Sequence, residues 1–149
     1  MSDHGPSMLR VARHVLGRYG GTEAEDVVQE AFIAALTTDA LPDREVGAWM
    51  RAIAARKALD AARSARRRSE EPLHDVRTTG GAPTDTLIVR EALAKLSASD
   101  RAVLVLVDVE GHSMAEAAAL LGTTSVGTRL RAVRARRKLA ALLRGTRVG

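Results

Sequence analysis

The chain has 149 residues, of which 46% are hydrophobic and 28% charged, enough apolar matter for a packed interior and too much for a disordered chain. It contains no cysteine, which excludes disulfides, thiolate zinc sites and a cysteine nucleophile. Its formal net charge is +5, a balance that suits a polyanionic partner.

Alanine is abundant and the only aromatics are Tyr19, Phe32 and Trp49, so helix propensity dominates and an all-α fold is expected. No apolar run approaches the ~20 residues needed to span a bilayer, and the start lacks a signal-peptide core. No membrane insertion and a cytoplasmic location are therefore expected.

The first periodic segment carries Met8, Leu9, Val11, Ala12, Val15 and Leu16 and ends at Gly17 and Gly20-Gly21. Thr22 can cap a second helix, with Glu25 at the capping-box position and Val27, Val28, Ala31, Phe32, Ala35 and Leu36 as its apolar face. Pro42 and Asp43 mark a turn before a long third helix, Glu45 to Arg67, with a stripe of Val46, Trp49, Met50, Ile53, Ala54 and Leu59. On that stripe Trp49 reads as core rather than as a base-stacking residue.

From Ser69 to Asp85 the pattern collapses into Pro, Gly and Thr, as in a flexible linker. Beyond it a helix runs through Leu87, Ile88, Ala92, Leu93 and Leu96. Another starts at Ser97, with Asp100 at the capping-box position, and stops at Gly111. Ser113 and Glu116 repeat that spacing ahead of Ala117, Ala118, Leu120 and Leu121. Gly122-Thr123-Thr124-Ser125 then turns into a last helix with eight basic residues and no acidic one between Val126 and Gly149. The order is that of a helix-turn-helix, whose second helix enters the major groove, and Arg129, Arg131 and Arg134 are placed to reach phosphates or guanine edges. Two small helical bundles joined by a flexible linker, the second containing the helix-turn-helix, are thus expected.

Two blocks together resemble the extracytoplasmic-function (group IV) sigma factors of the sigma-70 family. Ala24-Glu25-Asp26-Val27-Val28-Gln29-Glu30-Ala31-Phe32, followed by Ala48 to Ala54 and Ala58-Leu59-Asp60, is similar to region 2. Leu96 to Leu104, Asp108 to Gly111, Ala115 to Ala118, Leu121-Gly122 and Arg134-Ala135-Arg136 are similar to region 4. The resemblance implies a region 2 domain over 1–68, a linker over 69–85 and a region 4 domain over 86–144. It implies an RNA polymerase sigma factor that directs promoter recognition and transcription initiation of a stress- or signal-responsive regulon, with no catalytic activity.

By matching position, Asp26, Gln29 and Glu30 fall in the helix that binds core polymerase. Arg56, Lys57, Arg63, Arg66 and Arg67, with Arg68, supply cations for the minus-ten strand, and Thr124, Ser125, Arg129, Arg131 and Arg134 supply the minus-thirty-five contacts. The implied partners are bacterial RNA polymerase core (β′ clamp and β flap), promoter DNA and an anti-sigma factor. The loop from Thr38 to Val46 is where the family keeps its base-selecting pocket.

The sequence departs from the pattern in places. Ala55 and Arg56 stand where the family has arginine and asparagine. Thr128 and Ala132 replace larger apolar residues while Leu130 and Val133 occupy polar positions, leaving open which face of the last helix is buried. The family's first helix normally begins well before the position matching Met8. A stand-alone helix-turn-helix regulator is the alternative; it explains the basic tail but leaves Asp26, Gln29 and Glu30 without a role. His4, His14, His74 and His112 lack metal-ligand spacing and read as surface histidines; no metal or cofactor is expected.

Overall fold

The computed structural model describes residues 4–17, 22–38, 45–67 and 84–148, and all its regular elements are helices. Helix α1 spans Gly5–Leu16 and buries Met8, Val11, Ala12, Val15 and Leu16 along one stripe. It stops at Gly17, whose φ of 61° lies in the left-handed region that glycine enters without strain. Helix α2, Thr22–Thr37, buries Ala24, Val27, Val28 and Ala31.

Helix α3, Val46–Arg67, is held from more than one side. Its buried residues include Ala48, Ala52, Ala54, Ala55, Ala58, Ala62 and Ala65 alongside Met50 and Leu59. Small side chains let α1 and α2 approach closely on one side and the second bundle on another. The expected stripe is thereby redistributed: Met50, Ala54 and Leu59 are buried, Trp49 and Ile53 pack at the core's margin, and Val46 is half exposed.

The second bundle starts with α4, Thr84–Ala94, and α5, Ala98–Leu104. Ser97 caps α5, its hydroxyl accepting from the Asp100 N–H at 3.2 Å. A π-helical turn, Val105–Val109, extends α5, and Gly111 at φ 76° reverses the chain so that the His112 N–H donates to the Leu106 carbonyl. This return tucks His112 inside at 4% exposure, which corrects its reading as a surface histidine. His74 lies outside the described residues, as do most of the expected linker and the centre of the loop before α3.

Helix α6, Met114–Leu121, opens on a complete capping box: Glu116 N–H to Ser113 Oγ at 3.0 Å, and Ser113 N–H to Glu116 Oε1 at 2.8 Å. Gly122 closes it at φ 69°, and α7, Ser125–Val148, follows. A small core of Leu96, Leu104 and Ala135, with Leu93, Leu139 and Leu142 against it, ties α4 and α5 to α7.

Both expected bundles are present, and they are docked. Ala102, Val105, Leu106 and Ala117 of the second belong to the same buried cluster as the α1–α3 core. Arg101, 4% exposed, sits in the seam: its Nε donates to the Val15 carbonyl at 2.8 Å and its Nη2 to the Leu16 carbonyl at 3.1 Å. These are acceptors at the C-terminal end of α1, where the helix dipole favours a cation. Its Nη1 bonds the Leu96 carbonyl. Arg51 and Glu110 add a partly buried ion pair across the seam at 2.6 Å.

Candidate polymerase and nucleic-acid interface

Helix α2 has one occupied and one free side. With Ala24, Val27, Val28 and Ala31 in the core, Asp26, Gln29 and Glu30 are all exposed. Ile33, at 61%, extends that surface by a turn, and Leu36, expected on the buried face, is 75% exposed. Acids, an amide and two apolar side chains on one surface suit a protein partner better than DNA. Ile33 was missed from sequence; its signal was the i, i+3, i+4, i+7 line running from Asp26 through Gln29 and Glu30.

The cations of α3 divide. Arg56 donates to the Leu120 carbonyl of α6 and lies 3.8 Å from Asp60, while Arg63 Nη2 donates to Ser99 Oγ at 2.8 Å. Both thus engage the second bundle. Lys57 is partly buried, and Arg66 and Arg67 are exposed; Arg68 lies outside the described residues.

On α7 the buried face is Thr128, Ala132 and Ala135, so it keeps the family's phase despite its small residues, and Leu130 and Val133 face solvent. Thr124 caps the helix, its Oγ1 accepting from the Gly127 N–H at 3.0 Å, and Ser125 is exposed beside it. Arg129 and Arg134 are exposed and have no ion-pair partner among the described residues. Arg131 stands nearer the core edge, its Nη1 2.9 Å from Asp100 Oδ1; this carboxylate therefore holds α7 rather than completing a second capping box. Arg136 holds Asp108 in a two-pronged contact at 2.6 and 2.9 Å, and that hydrogen bond raises the guanidinium pKa further.

A groove between α3, α5 and α7 collects Arg63, Arg131, Arg134 and Lys138. Among the described residues no three His, Cys, Asp or Glu side chains are grouped to hold a metal, and no helix is long and apolar enough to cross a membrane. His14 has its pKa lowered by burial first and then by Arg90 and Arg10, all of which disfavour the charged imidazolium.

A basic helix-turn-helix docked on the α1–α3 bundle, whose free face is acidic, defines a two-part helical protein of the nucleic-acid-binding class. The model for sigma-70 region 2 matches residues 1–68, and that for sigma-70 region 4 matches residues 86–139. The chain is 33% identical over 145 residues to the ECF RNA polymerase sigma factor SigM of Mycobacterium tuberculosis, covering 94% of this chain and 73% of that one. It is 35% identical over 161 residues to the RNA polymerase sigma factor CnrH of Cupriavidus metallidurans, covering 94% and 82%. The chain belongs to the ECF sigma factor family, and its function is that of an RNA polymerase sigma factor.

Solved structures share the fold. The sigma factor RpoE in complex with the anti-sigma factor NepR from Bartonella quintana superposes with a TM-score of 0.74 at 22% identity, covering 96% of this chain and 93% of that chain. CnrH in complex with the cytosolic domain of CnrY gives 0.63 at 33% identity, covering 97% and 84%. Since both sigma regions match in order, a stand-alone helix-turn-helix regulator is not favoured.

Proposed function

We propose that this sigma factor, of the group IV type, docks on the β′ clamp of core polymerase through Asp26, Gln29 and Glu30 on α2, with region 4 against the β flap. The observation that carries this is the exposed polar face of α2 backed by a fully apolar one. An arginine-rich partner surface would pair with it. The protein acts in the cytoplasm, is not an enzyme, and divides functionally into 1–68, 69–85 and 86–144.

Promoter contact then falls to two sets of side chains. Lys57, Arg66 and Arg67, with Arg56 and Arg63, take the minus-ten strand. Thr124, Ser125, Arg129, Arg131 and Arg134 take the minus-thirty-five duplex. Because Arg56 and Arg63 are bonded to Leu120 and Ser99, the docked form withholds them from DNA, and the bundles separate when the promoter is engaged. An anti-sigma factor that favours the docked form would silence the protein, and the likeness to CnrH, solved in complex with the cytosolic domain of CnrY, supports such a protein partner.

Charge reversal tests the docking face. Asp26→Arg with Glu30→Arg is expected to weaken binding to purified core polymerase at least tenfold while leaving helix content unchanged. Wild-type affinity in that variant would overturn the assignment.

A further inference from the structure

The outermost line of α7 is apolar where a basic helix would be expected to present charge. Val126, Leu130 and Val133 are 70%, 52% and 38% exposed, follow i, i+4, i+7, and lead to Arg137 at i+11. They lie opposite Thr128, Ala132 and Ala135, two residues or about 200° round the helix, and that face is buried. Arg129 and Arg134 therefore flank the centre line, while Arg131 lies nearer the buried face, beside Asp100.

We propose that Val126, Leu130 and Val133 are the base-reading surface of this sigma factor and that they recognise the C5-methyl groups of thymines in the major groove of the minus-thirty-five element. This rests on the reading of α7 as the recognition helix. Three features favour DNA as the occupant. The line starts within the first turn, two residues after the Thr124 cap, at the end of the helix that a helix-turn-helix presents to base edges. Arg129 and Arg134 border it on either side without ion-pair partners among the described residues, matching the two phosphate walls of the groove.

Its length is the third. From Val126 to Val133 the helix rises about 10 Å, the span of about three base pairs. In the major groove only thymine offers an apolar group, so aliphatic side chains there discriminate by methyl contact and by leaving cytosine and adenine amino groups unpaired. Specificity would come from apolar burial and affinity from the flanking arginines, a division that sets a T-rich upstream element.

The test uses holoenzyme assembled from core polymerase and the full chain. A promoter library randomised over the upstream element is selected for binding, and the selected duplex is remade with deoxyuridine for each thymine, removing only the methyl. Expected are thymines at two or three neighbouring positions, a loss of about fourfold per methyl for the wild type, and indifference to one of those swaps in Leu130→Ala. Leu130 is exposed, so this variant should fold normally. If the swap leaves wild-type binding unchanged, or weakens Leu130→Ala equally, the methyl assignment is overturned and the stripe belongs to a protein partner. Arg129→Ala separates the two levels. Uniform weakening across sequences keeps α7 on DNA even if methyl reading fails; unchanged affinity removes the DNA reading as well.

Discussion

Arg101 of α5 donates to the carbonyl oxygen of Val15 at the end of α1, 86 residues earlier in the chain, at 2.8 Å. The guanidinium fork also takes the carbonyls of Leu16 and Leu96, so one buried side chain ties the region 2 bundle to region 4. A lysine could not span this set, since it lacks the planar fork.

Arg101→Met keeps length and apolar packing but abandons two carbonyls of α1. A destabilisation of about 2 kcal/mol is expected, together with a larger radius of gyration by small-angle scattering as the bundles part. An unchanged radius would show that the shared apolar core alone holds the docked form.

Gly17 gives a second route to the same seam. A Cβ built there would lie 2.7 Å from Arg101 Cζ, at a backbone φ of +61° that other residues adopt at a cost. Gly17→Ala is expected to lose about 2 kcal/mol or more, and Gly17→Ala with Arg101→Met clearly less than the sum of the two singles. Denaturant midpoints of the four proteins check this, and strict additivity would contradict the contact.

Thr128 is 1% exposed and its Oγ1 finds no hydrogen-bond partner among the described residues. Thr128→Val, which keeps shape and branching, should stabilise the protein by about 1 kcal/mol and raise the melting temperature by roughly 3 °C. A lower melting temperature would mean that the hydroxyl is satisfied in solution.

The helices were legible because each carries its own punctuation: Gly17, the Ser113–Glu116 box and Gly122 all act where their spacing says they should. The polar face of α2 was legible for the same local reason. What sequence could not show was the docking of the bundles, since Arg101 looks like an ordinary charged residue one turn into α5 and its acceptors are backbone carbonyls, which carry no side-chain signature. Leu36 was misplaced because a 3.6-residue period does not say where the partner helix ends. The face of α7 stayed open in sequence because alanine and threonine mark a buried stripe weakly; Asp100, holding Arg131, helps to fix it.

His14 makes stability depend on pH. Its folded pKa lies below the usual 6.5 through burial and the nearby Arg90 and Arg10, so below that pH the unfolded chain takes up a proton the native protein refuses. The contribution is fully present above 6.5 and is lost as pH falls toward the folded value. His14→Gln should flatten the acid limb of the unfolding free energy as pH falls below 6.5; an identical limb in both proteins would place the dependence elsewhere.

Run-off transcription with purified bacterial core polymerase tests most directly whether this chain confers promoter recognition on RNA polymerase. With this protein added, discrete new transcripts are expected from a subset of genomic promoter fragments, lost in the Asp26→Arg, Glu30→Arg variant. No new transcript, and no complex with core polymerase by gel filtration, would contradict it.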